Sequence, residues 1–218
     1  ENSVMKHIAI IDIGSNSIKL VLVQVRTDNS FKIVYELKET VRLGKGMTEK
    51  PVLREDRIEK AIKTLKMFKN LCDATDAQEI IAVATAAVRN ADNQKEFIDR
   101  VKSDTGLSIT VLSGQKEGFY DYWGVVNSID KDSGLIMDIG GGSVELIWMK
   151  EREIKESISL PFGALDLTQK FNLYHEINDK QEKKLKDYLV KQFKAIPWLS
   201  EIKDTDLIGV GGTIRNIA

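Results

Sequence analysis

One short pattern occurs twice in this chain. Residues 10–20 read IIDIGSNSIKL and residues 136–146 read IMDIGGGSVEL. In register, Asp12 falls on Asp138, Ile13 on Ile139, Gly14 on Gly140, Ser17 on Ser143 and Leu20 on Leu146. Each copy is an apolar run, a glycine-containing turn and a second apolar run, which reads as strand, turn, strand. One further strand and then a helix are predicted after each copy. Self-similarity at the head of two like element strings predicts two halves of shared architecture.

The rest of the pattern fits that division. Strands are predicted over 7–12, 19–25, 31–37, 79–84 and 109–112, then over 134–138, 144–150, 153–160 and 207–210. A helix starts at Glu55, with Ile58, Ala61, Ile62, Leu65 and Phe68 on one face. Further helices are expected over 94–105, closed by Gly106, over 114–126, over 163–171 and over 178–196. Asn178 is placed as N-cap and Gln181 as its capping-box partner. A polar connection at 128–133 divides the halves, so the domains are expected at 5–126 and 127–218. Trp123, Trp148 and Trp198 read as core or boundary packing. With 218 residues, two small domains with real cores are affordable.

Bulk properties exclude several classes. The net charge is −1, so total charge points to neither nucleic acid nor a membrane surface. A polyanion site must come from local positive charge. No apolar stretch approaches the ~20 residues that span a bilayer. Cys72 is the single cysteine. Neither an internal disulfide nor a cysteine metal cluster can form, which suits a cytoplasmic location.

The repeated turn carries the chemistry. Glycine lets backbone approach a phosphate, and clustered N–H groups make an anion nest. Ser15, Ser17 and Ser143 add hydroxyl donors. The aspartate before each turn can hold a cation that bridges to phosphates. An ordinary hairpin would use the same turn residues. Two copies, plus a third glycine-rich turn in GVGGT at 209–213, favour phosphate binding.

Two such loops and a later Gly-Gly-Thr turn resemble the actin, hexokinase and Hsp70 superfamily. The strings IDIGSNSIKL, RLGKGM, ATAAVRNADN, SGQKEGF, MDIGGGSVEL, LPFGALDLTQKF and GVGGTIRNIA, in this order, resemble the exopolyphosphatase/guanosine pentaphosphate phosphohydrolase (Ppx/GppA) family over nearly the whole chain. The resemblance implies an α/β fold of two RNase H-like (actin-like ATPase) domains with a cleft between them. It implies hydrolysis of a terminal phosphoanhydride of inorganic polyphosphate or guanosine pentaphosphate, with Mg²⁺ as cofactor and homodimers as a frequent state. Glu117 is then the general base. Asp138 and Glu145 serve the metal. Phosphate contacts fall to Asp12, Gly14, Ser15, Asn16, Ser17, Arg42, Arg89, Gly140, Gly141, Gly142, Ser143, Gly211, Gly212 and Thr213.

Two departures stand out. The family has two adjacent acids before a small residue, whereas this chain has Lys116-Glu117-Gly118. If the first acid were the essential one, the site would be dead. The chain also stops soon after GVGGTIRNIA, so the second domain is expected to be incomplete. Two other readings remain open: a kinase of the same superfamily, with an aspartate base aimed at a hydroxyl, and a non-catalytic polyphosphate or nucleotide sensor.

Overall fold

The structure is a computed structural model that describes residues 5–216. It divides into two compact units, the first ending at Leu112 and the second beginning at Ser113.

The first unit opens with β1 (Lys6–Ile13), β2 (Ser17–Val25) and β3 (Phe31–Thr40). These pair as an antiparallel meander, with Asp12 opposite Lys19 and Ile13 opposite Ile18. After α1 (Glu55–Ala74), β4 (Glu79–Ala84) joins β1 in parallel. The short α2 (Ala86–Arg89) and α3 (Gln94–Thr105) lead to β5 (Ile109–Val111), which is parallel to β4. The strand order is β3-β2-β1-β4-β5. Alternation aims Ala9, Ile11 and Ile13 of β1 inward. They meet Leu20 and Leu22 of β2 and the Ile58, Leu65, Phe68 and Cys72 stripe of α1. That stripe follows the 3.6-residue period read from the sequence.

The second unit begins with α4 (Gly114–Val126), whose N-cap Ser113 accepts a hydrogen bond from the Lys116 N–H. Then β6 (Gly134–Ile139), β7 (Val144–Lys150) and β8 (Glu153–Leu160) repeat the antiparallel meander. After α5 (Ala164–Phe171) and α6 (Asp179–Lys194), a 3₁₀ turn at Pro197–Glu201 leads to β9 (Leu207–Val210), which is parallel to β6. The order β8-β7-β6-β9 repeats β3-β2-β1-β4 strand for strand. The repeat seen in the sequence is therefore a repeat of topology, and the α/β class stands. α7 (Gly211–Arg215) follows β9.

Three expectations are corrected. The sequence assigned 114–126 to the first domain, but α4 packs Val125, Tyr122 and Val126 against Ile136, Ile147 and Met149 of the second sheet. Burial of that stripe, not chain order, decides its unit. Trp123, expected in the core or at its boundary, is half exposed on the helix face turned from the sheet. Gly211, Gly212 and Thr213 were read as a turn and instead form the first turn of α7.

Candidate active site

The two hairpin turns have the same construction. In the first, the Gly14 N–H donates to the Ser17 carbonyl at 3.0 Å; in the second, the Gly140 N–H donates to the Ser143 carbonyl at 3.0 Å. In each, the loop after the third strand takes up the turn's carbonyls. The Gly44 N–H donates to Ser15 O at 2.9 Å and the Arg42 N–H to Asn16 O at 2.8 Å. In the second unit, the start of α5 plays this part, with Ala164 N–H to Gly140 O and Leu165 N–H to Gly141 O, both at 2.9 Å. Among the described residues, no hydrogen bond takes the N–H of Ser15, Asn16, Gly141 or Gly142. Each turn thus has its acceptors occupied and its donors open, the polarity an anion requires.

Two glycines hold the second turn in place by what they lack. A Cβ on Gly163 would run into the backbone of Gly140, Gly141 and Gly142. Gly211 has φ +83, and a Cβ there would overlap Oδ1 of Asp138. Gly211 therefore acts on Asp138 by close approach.

The other predicted residues differ in their surroundings. Ser15 and Ser17 are buried, and Ser15 Oγ accepts from the Ala87 N–H at 3.1 Å, which ties the first turn to α2. Ser143 is buried beneath the second turn. Asn16 is exposed at the turn's tip. Arg42 is exposed and held at φ 56, a left-handed conformation that costs a non-glycine residue about 1–3 kcal/mol. Arg89 donates from Nη1 to the Leu112 carbonyl at 2.9 Å, joining the end of α2 to the end of β5. Burial pushes the Asp12 carboxyl up, and Lys19 opposes that shift from 3.7 Å across the strand pair.

The acids gather in the second unit. Asp138 and Glu145 face each other across β6 and β7. They extend the row of Ile136, Ile147 and Met149 on the side of the sheet that α4 covers. Glu145 is buried, and Ser159 Oγ donates to its Oε1 at 2.7 Å. α4 packs directly on β7 at Gly118, where a Cβ would stand 3.4 Å from Ile147 Cγ1 and 3.9 Å from Glu145 Cγ, both ordinary contact distances. The sheet-facing stripe of α4 is apolar at Tyr122 and Val125 and acidic at Glu117 and Asp121. Asp121 hydrogen-bonds to Asp138. Burial, then the charges of Asp138, Glu145 and Glu117, push its carboxyl up to about 8. The structure thus brings the predicted Glu117, Asp138 and Glu145 together and adds Asp121. The sequence carried a signal for it: an acid one turn after Glu117 on one helix face.

Among the described residues, no group of three or more His, Cys, Asp or Glu side chains converges as a ready-made metal cage. Mg²⁺ keeps several waters and takes one or two carboxylates together with substrate phosphates. Asp138 and Glu145 are a donor set of that kind, and the crowding that lifts Asp121 is the excess negative charge a cation relieves.

These features put the chain among α/β proteins built from two mixed sheets, each headed by the same open-turned hairpin. Residues 8–218 match the Ppx/GppA phosphatase family, and the chain belongs to that family. It is 35% identical over 217 residues to a bifunctional 3-dehydroquinate synthase/phosphatase of Fusobacterium nucleatum, covering 94% of this chain and 32% of that protein. It is 29% identical over 166 residues to exopolyphosphatase 1 of Mycobacterium tuberculosis, covering 75% of this chain and 48% of that protein. Of solved structures, the Aquifex aeolicus Ppx/GppA family member matches with a TM-score of 0.76 and 35% identity, over 99% of this chain and 69% of that one. An exopolyphosphatase from Cytophaga hutchinsonii matches with a TM-score of 0.89 and 30% identity, over 98% and 69%. The chain spans about a third of the length of the first of these curated relatives and about half of the second.

Proposed function

We propose that this chain carries the hydrolytic site of an exopolyphosphatase, which removes the terminal phosphate of inorganic polyphosphate with Mg²⁺ as cofactor. One observation carries the reading: Glu117 shares a carboxylate cluster with Asp138 and Glu145, in the unit that holds the open donors of Gly141 and Gly142. The likeness to exopolyphosphatases supports the same chemistry. Glu117 orients a water and accepts its proton as the water attacks the terminal phosphorus. The N–H groups of the turn bind the terminal oxygens, where charge builds in the transition state. Asp138 and Glu145 would hold the cation, which supplies charge neutralisation and polarisation of the terminal group. The turn at Ser15 and Asn16, with Arg42 and Arg89 as cationic partners, is a second phosphate-binding element of the same reading.

The full chain, assayed with Mg²⁺ on polyphosphate and guanosine pentaphosphate in parallel, should release orthophosphate, faster from polyphosphate. Glu117→Gln should lower turnover by roughly 10²–10⁴-fold and leave polyphosphate binding nearly intact. Faster release from guanosine pentaphosphate would move the substrate to the nucleotide. Binding without release, unchanged by Glu117→Gln, would make the chain a sensor. Phosphate found on an added alcohol would make it a kinase.

A further inference from the structure

α6 turns a face of unpaired lysines to solvent. Its inner residues Tyr188, Leu189 and Phe193 pack into the apolar cluster of the second unit. The 3.6-residue period then sets Lys180, Lys183, Lys184, Lys191 and Lys194 on the opposite face, with Asp187 the single acid among them. All five lysines are exposed, and none of them takes part in an ion pair among the described residues. Helical lysines of the first unit behave otherwise: Lys69 pairs with Asp73 and Lys95 with Asp99, each at 2.6 Å. The arrangement works against the helix itself. Like charges three and four residues apart repel, as at Lys180 and Lys184 or Lys191 and Lys194. Lys180 also stands in the first turn, where the helix dipole disfavours a cation. A bound polyanion relieves both. In a chain of net charge −1, this face is the local positive excess that such a ligand requires.

The face is tied to the second turn through α5. Ala164 and Leu165, at the start of α5, hold the carbonyls of Gly140 and Gly141. At the other end, Gln181 Nε2 donates to the Asn172 carbonyl at 2.9 Å and to the Phe171 carbonyl at 3.3 Å. The Tyr188 ring of α6 meets both Phe162 and Phe171, with centroids 5.5 Å apart in each case. Lys170 of α5 holds its ammonium 4.0 Å from the Tyr188 centroid, which adds a cation at the seam of the two helices. Eight residues make α5 about 12 Å long, the scale of the separation between the turn and α6.

Resting on the hydrolase reading above, we propose that the lysine face of α6 binds the distal stretch of a long polyphosphate whose terminal phosphate is held at the second turn. Charge complementarity selects the occupant. A linear polyphosphate carries negative charge on every phosphorus and offers no base or sugar to read, which suits a row of cations with no other donors. Such binding is driven by counterion release and is steeply salt-dependent. The face holds the polymer away from the reacting phosphate. It therefore sets a preference for long substrates over short ones and leaves the chemical step alone.

The test compares long-chain polyphosphate with tripolyphosphate on the full chain. The triple variant Lys180→Gln, Lys184→Gln, Lys191→Gln keeps helix propensity and removes three charges. The corresponding arginine triple keeps the charges. Anisotropy of end-labelled long-chain polyphosphate, read with a chelator present, should show binding roughly tenfold weaker in the glutamine variant, with a salt slope lower by about one per lysine. The KM for long-chain polyphosphate should rise in step, while kcat and KM on tripolyphosphate stay at the parent values. The arginine variant should match the parent throughout. Unchanged long-chain binding in the glutamine variant would overturn the proposal, and so would equal losses on the two substrates. Tighter binding of RNA or of phosphatidylserine vesicles than of polyphosphate, lost with the same lysines, would overturn it in favour of those partners. A parent that releases no orthophosphate would sink the hydrolase reading alone, because the anisotropy comparison decides the role of the face without turnover.

Discussion

Asp12 and Asp138 occupy the same place in two copies of one hairpin, yet they face opposite charges. Asp12 lies across from Lys19, 3.7 Å away, while Asp138 lies across from Glu145. One cross-strand position therefore separates a self-neutralised copy from one that concentrates negative charge, and Glu145→Lys should convert the second into the first. Its expected effect is loss of Mn²⁺ binding with the strand pairing intact, measured by calorimetry beside circular dichroism. Gly163→Ala should fail for a different reason. Its Cβ meets backbone rather than a yielding side chain. The strain should cost about 1–3 kcal/mol in urea unfolding and weaken phosphate binding by displacing the second turn. At this scale the sequence was informative wherever a residue type repeats in a pattern. Asp138 was legible for that reason, while Glu117 and Glu145 were legible through the family strings SGQKEGF and MDIGGGSVEL. Asp121 carried only its spacing of one turn after Glu117, and a lone acid between two tyrosines gains meaning only when the helix is seen lying over the second sheet.

Periodicity named nearly every element, since alternation and the 3.6-residue stripe come directly from which side chains can be buried. α6 began where Asn178 and Gln181 said it would, and both halves of the capping box are present. Asn178→Ala should cost about 1 kcal/mol, read as a lower urea midpoint at constant slope. The partner of an element was harder to read than its type. α4 follows the first sheet in sequence, but its apolar stripe belongs to the second, and nothing in its own residues names the surface it covers. Its seat is Ile147, fully buried under Gly118. Ile147→Ala should therefore cost about 2–5 kcal/mol and should lower activity as well, because the same helix carries Glu117.

Acid chemistry in the second unit should be visible in the stability of the whole chain. Asp121 stands near 8 when folded against an ordinary value of 3.8, and burial also raises Asp12. The folded chain then binds protons more tightly than the unfolded chain, so stability should fall as pH rises from about 4 to about 8. Urea midpoints in the presence of a chelator should show that slope, and Asp121→Asn should flatten it. The partition of chromophore and thiol allows this to be followed one unit at a time. The three tryptophans, Trp123, Trp148 and Trp198, all belong to the second unit, while the single cysteine, Cys72, is buried in the core of the first. Indole fluorescence therefore reports the unfolding of one unit, and alkylation of an otherwise shielded thiol reports the other, with no label introduced. Mn²⁺ should shift the fluorescence transition to higher urea. One native molecule thus carries a separate built-in reporter in each unit.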